Sequence, residues 1–224
     1  MFDAVSFAVN TGERIGVVGR NGHGKSTLFR LLTGEEEKDG GEIHLPADYR
    51  IGYLAQRLSF SKKTVLEEAA KDLPHIDDGW QELHRAESIL TGLGFAEQDF
   101  SAAPQSLSGG YQVRLNLASL LVAEPNLLLL DEPTNYLDIV ALRWLERFMQ
   151  SWKGELMIIT HDQSFMDQVT THTLGIHRSN VRKVEGGTEK YYAQLALEEE
   201  VHEKSRLNQE KKIRETEDFI RRFR

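Results

Sequence analysis

The residues best suited to chemistry begin with a glycine-rich segment, residues 19–26, which reads Gly-Arg-Asn-Gly-His-Gly-Lys-Ser. It fits the pattern G-x-x-x-x-G-K-S, and it lies between an apolar run at 14–18, which predicts a buried strand, and a predicted helix that starts at Ser26. In this setting the glycines let backbone N–H groups surround a phosphate, Lys25 supplies a positive charge, and the Ser26 hydroxyl suits Mg²⁺. The segment therefore predicts a binding site for a nucleoside triphosphate.

Three further polar side chains directly follow predicted strands. The four-leucine run at 127–130 is followed by Asp131 and Glu132, and the apolar run at 156–160 is followed by His161. Because ligands bind outside the carboxyl ends of the strands in a doubly wound sheet, we expect these side chains to lie beside the glycine-rich loop. Asp131 would then hold Mg²⁺ through water, Glu132 would orient or deprotonate the attacking water, and His161 would hydrogen-bond the γ-phosphate.

Two more features complete the candidate site. Gln56 ends a predicted strand at 50–55 and offers both a donor and an acceptor to the metal or to the attacking water. Ser108, Gly109 and Gly110 begin an amphipathic helix and form a second anion site from a hydroxyl and backbone N–H groups. Since one triphosphate does not need two such sites in one domain, we expect the second to contact a nucleotide held by another copy of the domain.

The elements that would position these residues alternate between short apolar runs and helical patterns. This alternation predicts an α/β fold with a largely parallel sheet and crossover helices. Residues 43–45 and 50–55 flank a turn and predict a hairpin, and Asp138 stands at the N-cap of a predicted helix. Residues from about 57 to 125 contain several helical patterns and predict a helical subdomain inserted in the sheet.

Length and composition narrow the class of protein. The 224 residues carry 27 basic and 35 acidic side chains, a net charge of −8, and 40% of them are apolar, which is enough for a sizeable core. The chain has no cysteine, so disulfides, thiol catalysis and cysteine-based zinc sites are excluded. We expect a cytoplasmic protein, because we see neither a signal peptide nor an apolar stretch long enough to span a membrane. The net acidity argues against a dedicated duplex-DNA binder.

The C-terminal tail differs from the acidic body. Residues 198–224 carry eight acidic and eight basic side chains, and no residue from about Thr188 onward breaks a helix. Its apolar residues are sparse and do not hold a strict heptad, which favours a solvated charged helix over a coiled coil.

Taken together, the motifs resemble those of the ATP-binding cassette family over residues 1 to about 190. They match, in order, the Walker A, Q-loop, signature, Walker B, D-loop and switch-histidine motifs, at residues 19–26, Gln56, 107–112, 127–132, 135–138 and His161. The resemblance implies a P-loop NTPase fold and Mg²⁺-dependent ATP hydrolysis, with ATP held between two cassettes packed head-to-tail. The residues implied in nucleotide binding are Gly19, Asn21, Gly22, Gly24, Lys25, Ser26, Thr27, Ser108, Gly109 and Gly110. Those implied in metal binding are Ser26, Asp131 and Gln56, and those implied in catalysis are Glu132, His161 and Gln56.

Within that family, three segments are similar to the ABC-F class, namely 108–121, 132–138 and 159–169. ABC-F proteins are soluble twin-cassette ATPases associated with ribosomes, and a long charged helical linker follows their first cassette. The resemblance thus implies a cassette at 1–187 and the start of that linker at 188–224, with the ribosome and tRNA as partners and no integral membrane partner. The basic cluster Arg221, Arg222 and Arg224 could contact phosphates or could be a solvated helix face, and both interpretations stay open.

The sequence also departs from the family pattern. It holds one cassette and ends inside the expected linker, so we expect a fragment whose adenine-stacking aromatic residue would precede Met1. Tyr111 stands where many cassettes have glutamine, and the 51 residues between Gln56 and Ser108 leave no room for the extra arm of some ABC-F members.

Other functions compete with that of an ATP-driven translation factor. The main alternative is the ATP-binding subunit of a membrane transporter, which shares the ATP chemistry but would lack the charged tail. A chromosome-maintenance ATPase would need a long coiled coil that splits the cassette. A nucleotide-gated binder without catalysis would not need Glu132.

Overall fold

A six-stranded sheet organises the part of the chain that the structure, a computed structural model, describes: residue 2 and residues 5–54, 58–73, 79–177 and 179–222. The strands are β1 (Arg14–Gly19), β2 (Ile51–Tyr53), β3 (Leu127–Asp131), β4 (Glu155–Ile159), β5 (His172–His177) and β6 (Asn180–Glu185). Their order in the sheet is β2-β3-β4-β1-β5-β6. Neighbouring strands from β2 to β5 run parallel, and β5 and β6 pair antiparallel.

Helices connect the strands as the α/β prediction requires. They are α1 (Lys25–Thr33), α2 (Val65–Ala69), α3 (Gly79–Gly92), α4 (Gly109–Ala123), α5 (Ile139–Gln150), α6 (Gln163–Val169) and α7 (Thr188–Arg222). Helices α2 to α4, with two short 3-10 turns, all lie between β2 and β3, where the helical subdomain was predicted. None of the described helices is both long enough and apolar enough to cross a membrane.

The core lies on both faces of the sheet, because a parallel strand covered by helices on each side buries all of its side chains. On β3, Leu128 and Leu130 pack on the face shared with α4 and α5, whereas Leu127 and Leu129 pack on the face shared with α1. All four side chains are at most 3% exposed. The leucine run thus lies at the centre of the sheet and ends where Asp131 and Glu132 begin.

The predicted hairpin of residues 43–45 and 50–55 is wrong. Residues 43–45 form no strand, and Ile43 and Leu45 are 40% and 47% exposed. The second segment pairs instead with β3 in parallel, and the backbone N–H of Leu54 extends this pairing by donating to the carbonyl of Leu129. Parallel pairing brings Gly52 and Leu54 into the core, a burial that an isolated hairpin at the edge would not provide. The antiparallel pair β5–β6 was not predicted.

The predicted tail helix is present as α7, and its first turns are fixed to the sheet. Tyr191 is 4% exposed and packs directly on Gly175 of β5, where a Cβ atom would overlap the tyrosine ring. The backbone N–H and the hydroxyl of Thr188 both donate to the Asp167 carboxylate, at 2.7 and 2.9 Å. The cassette and the charged tail are therefore joined by a docked helix start.

Candidate nucleotide-binding and hydrolysis site

The glycine-rich loop lies between β1 and α1, as the sequence predicts, and its conformation requires glycine. Gly22 and Gly24 have φ angles of 79° and 92°, in the left-handed region that disfavours side chains. At Gly19 a Cβ atom would lie 2.7 Å from the carbonyl oxygen of Ile176 on the neighbouring strand. The loop can therefore turn tightly and expose its backbone to a ligand.

Lys25 begins α1 and bridges the loop. Its Nζ donates to the carbonyl oxygens of Gly19 at 2.9 Å and Arg20 at 3.4 Å, so the ammonium group lies within the turn that would surround a phosphate. No side chain caps the helix at Gly24. The N–H groups of the first turn, which includes Ser26 and Thr27, remain available to an anion, and the helix dipole adds positive potential there. Asn21 lies in the exposed turn of the same loop.

Asp131 ends β3 with a buried oxygen that lacks a partner. Among the described residues its Oδ2 is buried and accepts no hydrogen bond, an arrangement that costs free energy unless a cation or water satisfies it. Its charge, after burial, also raises the pKa of Tyr53. Within the described part of the chain, no group of three His, Cys, Asp or Glu side chains could hold a metal by itself. The unsatisfied Asp131 oxygen fits an ion such as Mg²⁺, which takes most of its ligands from phosphates and water.

Glu132 and His161 are brought together at the same edge. Glu132 has a φ of 52°, and its backbone N–H donates to the carbonyl of Ile159 on β4 at 2.8 Å, which fixes the turn after β3. Its Oε2 accepts from the backbone N–H of His161 at 3.3 Å, and its Oε1 lies 3.5 Å from the His161 Nε2. A second contact, of 3.1 Å between the hydroxyls of Thr134 and Thr160, joins the same two turns. The strand-end argument therefore correctly placed Glu132 next to His161.

The signature residues lie at the start of α4. Ser108 is the N-cap but makes no side-chain capping bond, so its hydroxyl and the following N–H groups of Gly109 and Gly110 can serve a ligand. No hydrogen bond joins them to the Lys25 loop in the described residues. The D-loop residue Tyr136 lies against them: a Cβ on Gly110 would be 3.4 Å from the Tyr136 Cβ.

The D-loop ends at Asp138, which caps α5 as predicted. Its Oδ1 accepts from the backbone N–H groups of Val140 and Ala141 at 3.0 and 2.9 Å. The bond from Ala141 contributes most to lowering the pKa of Asp138, and Arg114 lowers it further. Sequence reasoning missed Arg114, although a single basic residue on the apolar side of α4 was a usable signal.

Two predictions, one for Gln56 and one for the basic cluster of the tail, fall outside what the structure describes. Gln56 lies outside the described residues, so its role stays a prediction. Of the basic cluster in the tail, Arg224 lies outside the described residues, and the side chains of Arg221 and Arg222 are not described.

Comparison with known proteins identifies the family. The family model described as ABC transporter matches residues 2–135, and a second model with the same description matches residues 174–224. Since the first match alone covers more than half of the chain, the protein belongs to the ABC transporter family and is an ATP-binding cassette ATPase. The predicted fold class and enzyme class are confirmed.

Individual relatives are similar over nearly the whole chain. YdiF of Bacillus subtilis, an ATP-binding protein by name, is 35% identical over 97% of this chain and 40% of its own length. ABC transporter F family member 5 of Arabidopsis thaliana is 32% identical over 98% of this chain and 38% of its own. The resemblance to the ABC-F class is thereby confirmed. The chain spans about two fifths of the length of these relatives.

Solved structures agree on the fold. The ATP-binding subunit of an ABC transporter superposes with a TM-score of 0.73, at 22% identity, over 88% of this chain and 87% of its own. A dimeric cassette, MJ0796, bound to ADP and phosphate in a post-hydrolysis state, gives a TM-score of 0.65 at 22% identity, over 82% and 90%.

Proposed function

We propose that this cassette binds Mg·ATP on its glycine-rich loop and hydrolyses it with Glu132 as the general base. The observation that carries this proposal is that Glu132, which His161 contacts, directly follows Asp131 at the end of β3, and that Asp131 has a buried oxygen without a hydrogen bond among the described residues. Lys25 and the loop N–H groups would hold the phosphates, and Ser26 and Asp131 would hold Mg²⁺. The ion, when bound, neutralises charge on the phosphate oxygens.

Three residues of the chain would then have different roles in hydrolysis. The Glu132 carboxylate would accept the proton of the attacking water, in line with the γ-phosphate. His161 contacts both oxygens of that carboxylate and would hold it in place until a γ-phosphate competes for the imidazole. Gln56 would orient the metal or the water.

We further propose that a second cassette completes the site. Among the described residues, Ser108 makes no side-chain capping bond and no hydrogen bond joins it to the Lys25 loop of the same chain, which supports a role toward ATP bound by another cassette. ATP would close the two cassettes head-to-tail, and hydrolysis would let them separate.

The whole protein is, in this proposal, a cytoplasmic ABC-F translation factor that acts on the ribosome and tRNA. Support comes from the ABC-F relative and from α7, a charged helix of 35 residues that follows the cassette directly. The second family match, at 174–224, includes that helix. The alternative, a transporter subunit, would share the cassette but would not need the charged helix α7.

Co-sedimentation with ribosomes tests this function. The full-length Glu132→Gln protein should bind ribosomes only when ATP is present, because ATP is retained and the closed state persists. The matched control is the same protein with Lys25→Ala added, which should lose the ATP-dependent shift because the triphosphate is no longer held. Ribosome binding that ignores ATP, or no binding at all, would favour the transporter alternative.

A further inference from the structure

Arg114, on the second turn of α4, is a buried cation that the mechanism above does not use. It is 8% exposed and donates three hydrogen bonds. Its Nε donates to the Tyr136 carbonyl at 2.8 Å, while its Nη1 donates to the Leu93 carbonyl at 3.1 Å and to the Asp138 carboxylate at 3.2 Å. Burying a guanidinium is costly unless its N–H groups are paired, so these three acceptors form a built site.

The residues packed around Arg114 leave a space that suits its planar guanidinium group. The guanidinium carbon lies 4.9 Å from the centre of the Tyr111 ring, within the range of cation–π attraction. The Tyr111 hydroxyl donates to the carbonyl of Gly94 at 3.2 Å. Gly94 has a φ of +92°, and a Cβ there would lie 2.8 Å from the Arg114 Nη1. The segment after α3 therefore leaves room for the guanidinium by having no side chain at Gly94.

Apart from Leu93, the residues that contact Arg114 belong to two motifs, the signature at 107–112 and the D-loop at 135–138, which 22 residues separate in sequence. Tyr111 adjoins the signature residues Ser108 to Gly110, and Tyr136 and Asp138 form the D-loop. The D-loop backbone is unusual at Tyr136, which has a φ of 70°, and this residue is 65% exposed. Arg114 is thus a direct polar connection between the helix that begins with the signature and the loop that lies against it.

We propose that Arg114 is a positioning residue that fixes the D-loop relative to the signature, so that both meet the second cassette as one surface. This inference rests on the proposed function. A displacement of about 1 Å at such a surface can cost up to about a hundredfold in rate. Lysine cannot replace arginine here, because a single ammonium does not reproduce the guanidinium fork that reaches Tyr136, Leu93 and Asp138 at once.

The test is Arg114→Lys in the full-length protein, with Arg147→Lys as the matched control. Arg147 is an exposed helical arginine whose Nε donates only to the carbonyl of Arg143 one turn earlier. For Arg114→Lys we expect kcat to fall about tenfold, while KM and the affinity for a fluorescent ATP analogue stay within about twofold. The control should match wild type in all three.

A second variant pair separates positioning from folding. Gly94→Ala adds a methyl that pushes on the Arg114 Nη1, whereas Gly12→Ala carries the same positive-φ penalty at a position with no atom within 4 Å of the added Cβ. Thermal unfolding measures the loss of stability that both variants share because alanine disfavours a positive φ. When kcat is compared at equal folded fraction, only Gly94→Ala should lower it. A kcat within twofold of wild type in both Arg114→Lys and Gly94→Ala, or a loss explained by unfolding alone, would overturn the inference. A wild-type protein without ATP turnover would overturn the proposed function as well.

Discussion

At the scale of single residues, the proposed chemistry depends on the carboxylate of Glu132, which its neighbours hold in place. Glu132 accepts a backbone N–H from His161 and faces its imidazole, and both contacts come from the turn after β4. A carboxylate fixed in this way loses little freedom when it meets water, which is the preorganisation that general-base catalysis needs.

The first prediction concerns that carboxylate. Glu132→Gln in the full-length protein should reduce ATP hydrolysis by at least about a hundredfold, because the amide cannot accept a proton. ATP binding should be unchanged, since the Lys25 loop is intact. Steady-state phosphate release and equilibrium nucleotide binding measure the two effects. Turnover at the wild-type rate would exclude Glu132 as the base.

Another residue-level prediction concerns acid stability at the opposite end of β1. Burial alone would raise the pKa of Glu13, but hydrogen bonds from Asn10 and Lys183 lower it from an ordinary value of 4.5 to about 2, and His172 also faces it. Because the pKa is lower in the folded state, this stabilisation is complete above about pH 4.5 and is lost as the pH falls through about 2. Glu13→Gln should therefore be less stable than wild type at pH 7, by a margin that shrinks between these two values.

Chemical denaturation at a series of pH values measures that margin. The control is the same change at the exposed Glu37, which should leave the free energy of unfolding and its pH dependence unchanged. A difference between wild type and Glu13→Gln that is the same at pH 7 and at pH 2 would contradict the prediction.

The sequence predicted the local part of this site and missed the part that depends on tertiary contacts. The glycine-rich loop, Asp131, Glu132 and His161 could be placed because each directly follows an apolar strand. Arg114 could not be assigned a role, because its acceptors at Leu93 and Tyr136 lie 21 and 22 residues away and meet it only in the folded subdomain.

At the scale of elements, the strand with which a short apolar segment pairs determines its place in the sheet. Residues 50–55 looked like half of a hairpin, but β2 finds more burial beside β3 than an isolated hairpin could offer. The pair β5–β6 was not predicted because half of the six residues of β6 are exposed and three of the six, Arg182, Lys183 and Glu185, are charged, a composition that does not indicate a core strand.

The docking of α7 gives an element-level prediction. Gly175→Ala should displace Tyr191, because a Cβ on that residue of β5 would overlap its ring. We expect a loss of about 1 to 3 kcal/mol in the free energy of unfolding, typical of an overpacked core, and faster hydrogen exchange at the start of α7. Gly40→Ala is the control, because nothing lies within 4 Å of the Cβ it adds. Equal exchange rates in the two variants would show that α7 is held by other contacts.

At the scale of the whole molecule, the proposed function gives one cassette two sets of ligand groups, each for a different nucleotide. In that proposal the Lys25 loop would bind one nucleotide and the start of the Ser108 helix would bind the other, so the active site would be shared between cassettes. The fold itself could be predicted from the motifs, but the shared site rests on the family resemblance, since nothing in one chain specifies its partner.

The corresponding prediction concerns this chain when produced alone. It should bind ATP but hydrolyse it slowly, and the rate per molecule should rise with protein concentration, because a productive site needs two cassettes. An ATPase assay over a wide range of concentrations measures this dependence. A fast rate that is independent of concentration would exclude the shared site.

The junction of α7 with the sheet has a mechanical consequence. A helix of 35 residues is about 52 Å long at about 1.5 Å per residue. In the described part of the chain its contacts with the cassette lie in its first third, where Thr188 bonds Asp167, Tyr191 packs on β5, and Glu198 and Glu199 pair with Arg182 and His177. If the ATPase body rotates by about 10° about the start of α7 and the helix rotates with it, the far end of α7 moves by about 9 Å. A small rotation of the cassette at the nucleotide would therefore move the far end of α7 by a distance comparable to that of a macromolecular contact. The stiffness of α7 would determine how much of this motion is transmitted.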